Sequence, residues 1–148
     1  MKIVARIAIL LIVSNVTPLY AQGPAAAGLV KVTSGSAVIL RDGVERPAQI
    51  GLQIYATDHL KTGADGRLGL TLKDDTRVSL GPNSELRLDH FEFAPAEGRF
   101  GLVIKFVRGV AAYVSGRIAK LSPDSVRLET PAAIVGVRGT TLGIRVTD

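Results

Sequence analysis

The 148-residue chain has no cysteine and no tryptophan, two histidines and few aromatics, only three Tyr and four Phe. Without cysteine there are no disulfide staples, no thiolate metal sites and no cysteine nucleophile. Two histidines, His59 and His90, make a histidine-rich metal site a poor expectation. No apolar run reaches the roughly 20 residues that a membrane-spanning helix needs. Charged residues make up 21% of the chain while hydrophobic residues make up 47%, a balance that collapses into a core rather than remaining disordered. What is abundant is glycine, at 16 residues, together with 7 prolines and many Val, Leu and Ile. That mixture favours strands and turns in one domain.

The first residues belong to a different kind of segment. Lys2 and Arg6 precede the apolar run Ile7 to Val13, and Ser14-Asn15-Val16-Thr17-Pro18 leads to small residues at Ala21 and Ala25 to Ala27. This is the order of a secretory signal peptide. We expect residues 1–21 to be that peptide, with cleavage after Ala21 or as late as Ala27. A linker at 22–28 and a β domain at 29–148 would follow. No cysteine follows the apolar run, so no lipoprotein anchor is expected. The mature protein is expected in the periplasm or secreted, without a membrane span.

Charge is uneven along the remainder. Residues 22–98 carry 8 basic and 10 acidic side chains, whereas residues 99–148 carry 8 basic and 3 acidic ones. A basic half attracts acidic partners, and export makes nucleic acid a poor candidate. Arg99, Lys105, Arg117 and Lys120 are the candidate partner-binding residues, because parity or turn position sets them apart from the apolar positions. Association through them would be salt-sensitive.

From Leu29 onwards apolar residues alternate with period two, the strand signature. Leu68/Leu70/Leu72, Val78/Leu80, Leu86/Leu88, Phe100/Leu102/Ile104/Phe106, Val110/Ala112/Val114, Val126/Leu128 and Leu142/Ile144/Val146 are the inward sets. Turn signals fall between them at Arg41-Asp42-Gly43, Gly63 to Gly66, Lys73 to Thr76, Gly81 to Ser84, Ala96 to Gly98 and Ser122 to Asp124. Parity changes across Asp89-His90, which calls for a bulge or corner there. No helical period extends over ten residues. The expected fold is all-β: many short strands in a single two-layer sandwich or a short β-solenoid-like domain.

Three segments in order carry a resemblance: Gly51 to Gly63 (G-L-Q-I-Y-A-T-D-H-L-K-T-G), Gly66 to Ser84 with its Asp74-Asp75-Thr76, and Thr130 to Thr140 (T-P-A-A-I-V-G-V-R-G-T). In this order and spacing the chain resembles the FecR domain of bacterial regulators, from about Gly28 to Val146. The resemblance implies a periplasmic all-β binding module that takes part in relaying a transporter's state. In full-length regulators a cytoplasmic anti-sigma segment and a membrane helix precede the domain. Here no such segment precedes the apolar run, so we expect a stand-alone exported module. The motif residues Asp58, Thr62, Gly63, Thr130, Pro131, Gly136, Arg138, Gly139 and Thr140 are expected to be structural. Asp58 and Thr62 suit turns, Gly136 and Gly139 a bulge or close approach, and Arg138 an internal pair with Asp58, Asp74 or Asp75.

Catalysis is not expected. Asp58-His59 and Asp89-His90 with Ser79, Ser84 and Ser115 lack a nucleophile setting, and neighbouring residues on a strand point to opposite faces. No metal spacing or phosphate loop occurs, so no cofactor is expected. Two non-enzymatic classes remain. One is a protein-binding or signalling-related envelope module whose partner is another envelope protein, and the other is a structural or carbohydrate-contacting envelope protein. Scarce aromatics favour the former.

Overall fold

The computed structural model describes residues 16–20 and 23–147; the expected signal-peptide run Ile7 to Val13, its charges Lys2 and Arg6, and Ala21 lie outside them. Twelve strands and one short helix follow one another: β1 (Gly28–Ser34), β2 (Ala37–Arg41), β3 (Val44–Pro47), β4 (Gln53–Ile54), β5 (His59–Thr62), β6 (Arg67–Leu72), β7 (Arg77–Leu80), β8 (Glu85–Ala94), β9 (Arg99–Val114), α1 (Arg117–Leu121), β10 (Val126–Glu129), β11 (Ile134–Gly136) and β12 (Thr141–Val146). The fold is all-β, one curled and mostly antiparallel sheet.

β9 is the spine. Its 16 residues pair with β8 along the first half and with β7 along the second. Residues Leu102 to Lys105 also pair with β10, in parallel, and Gly109 to Val114 pair with β12. The strand order β3-β2-β5-β8-β9-β7-β6-β1-β4 therefore runs through β9 from one half to the other. Ile39, Leu60, Leu86, Leu88, Leu102 and Ile104 from the first half share one core with Val30, Leu68, Leu70, Leu72, Val78 and Tyr113 from the second. Leu142, Ile144 and Val146 of β12 are half-buried against it.

The anticipated turns are all present. Asp42 and Gly43, at φ 50° and 75°, close the β2–β3 hairpin in the left-handed pair of conformations that matches strand twist. The parity change across Asp89-His90 is a register shift between Leu88 and His90 against β9. One inward set differs from the sequence reading. Beyond Phe106 the buried residue is Tyr113, with Ala111 packed against the core, whereas Ala112 is exposed. The flip falls at a register shift against β8, between Phe106 and Arg108, and at Gly109, at φ 85°, where β9 passes from one half of the sheet to the other. A Cβ there would collide with the Ser84 side chain and the Asn83 carbonyl, so the flip needs glycine. The folded unit also begins before residue 29. Ala27 is buried, donates its N–H to the Ile54 carbonyl at 2.7 Å and accepts the Lys73 N–H at 2.8 Å.

Candidate functional site

Burying a polar side chain is costly unless it is hydrogen-bonded, and three turns supply those bonds. Asp58 is completely buried ahead of β5. It accepts Arg41 Nε at 2.7 Å and Arg41 Nη2 at 2.6 Å, and the Tyr55 N–H at 2.8 Å. The Arg41 guanidinium also lies 4.4 Å from the Tyr55 ring centroid, and its hydrogen bonds to Asp58 raise its pKa above the ordinary value. Thr62 Oγ1 donates to the Gly81 carbonyl at 2.6 Å and accepts the Ser84 N–H at 2.9 Å. Ser84 Oγ in turn accepts the Val110 N–H at 2.9 Å, fastening the β7–β8 turn beside the Gly109 bulge. Gly63, next in the motif, donates its N–H to Ser36.

The third turn joins β6 to β7. Asp74 is fully buried and accepts the Thr76 hydroxyl at 2.7 Å, the Thr76 N–H at 3.2 Å and the Ile118 N–H at 3.2 Å. Its carbonyl takes the Arg117 N–H at 2.6 Å. Gly116 lies so close that a Cβ would meet the Asp74 carbonyl and the Thr76 amide. This turn thereby fixes α1 against the second half of the sheet. The buried Tyr113 hydroxyl nearby has no well-aligned hydrogen bond; desolvation pushes its pKa up, and the Ser115 and Thr76 hydroxyls only temper that shift.

The Thr130–Thr140 segment is unlike these turns, because it lies on the surface. Thr130 and Ala133 close a small turn at Pro131, β11 is exposed throughout and pairs with β10 alone, and only Val137 is buried. Gly136 and Gly139 have no atom near enough to exclude a side chain, so neither marks a close approach. Arg138 is not an internal residue. It is 80% exposed and meets Asp124 at 3.5 Å, because Asp58 is already taken by Arg41 and Asp74 by backbone amides. Thr140 anchors the far end: its N–H meets Ser115 Oγ at 2.9 Å, and its carbonyl accepts the Ser115 N–H at 3.0 Å.

The four candidate partner-binding cations do not form one set. Arg99 is engaged by Glu92 at 3.3 Å and by Glu97. Lys105 is half-buried in mid-β9, between Arg87 and Glu129 in register. Arg117, its guanidinium 4.9 Å from the Phe93 ring centroid, and Lys120 line a hollow of about 410 Å³ with Arg77, Asp75, Thr71, Ser115 and Gly116. Sequence reading passes over Arg77 because it is an ordinary alternating polar residue of β7.

The two histidines are apart. His59 Nε2 lies 2.5 Å from Glu85 Oε1, out of hydrogen-bond alignment, and Glu85 also meets Arg108 at 3.2 Å. His90 is exposed over Gly101. Asp58 and His59 face opposite ways, the former held by Arg41, while Asp89 pairs with Arg87 at 2.9 Å. Among the described residues no group of three His, Asp or Glu is arranged to hold a metal. No helix among them is long and apolar enough to cross a membrane.

The model of the FecR protein family matches residues 58–148. The chain belongs to the FecR family. No curated protein and no solved structure matches it. The match starts at the buried Asp58 rather than near Gly28, yet Val30, Ile39 and Ile54 from the preceding strands complete the same core. FecR domains are envelope-associated, signalling-related and non-enzymatic.

Proposed function

We propose that this FecR-domain chain is exported and binds another protein of the bacterial envelope, without catalysing a reaction. β11 is the observation that carries the reading. It is a three-residue edge strand, hydrogen-bonded on one side only, with Ile134 67% and Val135 40% exposed. Such an edge offers backbone donors and acceptors for an added partner strand, with apolar side chains to read it. It also lies within the segment that carries the most specific part of the FecR resemblance. The carbohydrate-contacting alternative has less support, since Phe106 and Tyr113 are buried and Phe91, Phe93 and Phe100 are half-buried.

The test uses the full chain expressed with a photo-crosslinking residue at Val135, and separately at Val44 on the opposite sheet edge. A discrete crosslinked envelope protein is expected from Val135, absent in an Ile134→Pro background. Equal crosslinking from both positions, or none from Val135, would overturn the reading. Export is tested by N-terminal sequencing of extracytoplasmic material. A mature start at or shortly after Gln22 is expected, because cleavage after Ala27 would remove a core residue and two backbone hydrogen bonds.

A further inference from the structure

Basic side chains on a protein surface normally find carboxylates or spread out into solvent. Here a group of them does neither. The hollow beside α1 adjoins a second one, of about 340 Å³, and the two share Thr71 and Asp75. Lys31 and Lys73 line the second, and Arg77, Arg117 and Lys120 the first. All five are exposed, and none has a carboxylate within ion-pair distance among the described residues. Arg41, Arg87, Arg99, Arg108, Arg127 and Arg138 are paired, while Arg46, Lys61, Arg67, Lys105 and Arg145, which have no ion pair either, line neither hollow. Asp75, in the turn between β6 and β7, is the one carboxylate of the lining.

We propose that the hollow between the β6–β7 turn and α1 binds a phosphate group through Arg77, Arg117 and Lys120. The donors come from two elements whose relative position is fixed. Asp74 ties the turn to α1 through the Arg117 and Ile118 amides, and Gly116 permits that close approach. Arg117 is further held over the Phe93 ring. Two arginines and a lysine lining one hollow suit the several oxygens and the higher charge of a phosphate. Lys31 and Lys73 extend the positive field next to the hollow, which favours a phosphate already on an anionic surface as well as a free one. The site is independent of β11 and does not depend on a protein partner.

The experiment titrates the full-length mature chain with inorganic phosphate at constant ionic strength, following amide NMR shifts. A parallel arm measures co-sedimentation with vesicles of phosphatidylglycerol and of phosphatidylcholine. Saturable shifts at Ser115, Gly116 and Arg117 are expected. The double variant Arg77→Gln/Lys120→Gln should weaken phosphate binding at least tenfold, and Arg46→Gln, on distant β3, should stay within twofold. Vesicle binding that needs phosphatidylglycerol and is competed by phosphate would name a lipid headgroup as the source; phosphate binding without vesicle binding would name the free ion. Absence of saturation in both arms, or undiminished binding by a double variant whose thermal melt matches the parent, would overturn the proposal.

Discussion

Arg41 and Asp58 are 17 positions apart and meet only after the β2–β3 hairpin has returned the chain to β5. The sequence marks Asp58 as a turn residue, from its short polar side chain between Thr57 and His59, but does not name its cation. Any of several arginines fits until the strands are paired. Arg41→Ala leaves a buried carboxylate without its bidentate partner and should destabilise the fold by about 2–4 kcal/mol. Arg41→Lys should recover less than half of that, since one ammonium cannot reproduce two parallel hydrogen bonds. Chemical denaturation of the three proteins checks both. Tyr113 behaves in the opposite sense. Its hydroxyl is desolvated without a well-made hydrogen bond, so Tyr113→Phe should change stability by about 1 kcal/mol or less at neutral pH. The pH dependence has a definite sign. The phenol ionises near 10.0 in the unfolded chain and higher in the fold, so above that pH the folded state holds more protons. Stability should therefore fall as pH rises through 10 and beyond, and Tyr113→Phe should flatten that fall. Denaturation midpoints at pH 8 and above 10 for both proteins measure it.

At the level of elements, the strands from β6 to the first half of β9 are legible because their alternation is local and both ends carry turn residues. The bulge at Asp89-His90 is legible for the same reason, since parity fails within a few residues. The flip at Gly109 is not. Val110, Ala112 and Val114 form as good an apolar set as any other, and Tyr113 looks like the outward residue between them. Only the crossing of β9 past Ser84, which is far away in sequence, decides that Tyr113 turns inward. Gly109→Val should accordingly cost about 2–4 kcal/mol, from left-handed strain and the collision with Ser84. Adding Ser84→Gly to it should recover part of the loss. A Gly109→Val protein that melts with the parent would mean that β9 runs through without the flip. The surface hollow at α1 is illegible for a related reason. Arg77 and Lys120 share it only because Asp74, buried in the turn before Arg77 and far from Lys120 in sequence, binds the amide of Ile118.

For the whole molecule, the fold class follows from composition and period two, whereas the single spine does not, because no local pattern says that a 16-residue run will belong to both halves. That arrangement sets a timetable for the chain. Of the strands that precede β9, β8 and β7 make direct hydrogen bonds to it, and through them each half of the sheet is joined to the other. Until residue 114 is available, the first seventy residues of the domain hold two unjoined sets of strands with exposed edges. A fragment of residues 27–98 should consequently lack the cooperative thermal transition of the chain of residues 27–148, as circular dichroism would show. Proteins are synthesised N-terminus first. A domain whose central strand arrives late has no strand to join its two front sets while that strand is still missing. The same spine that makes the finished sheet one unit thus withholds cooperativity from the unfinished chain until its last third is present.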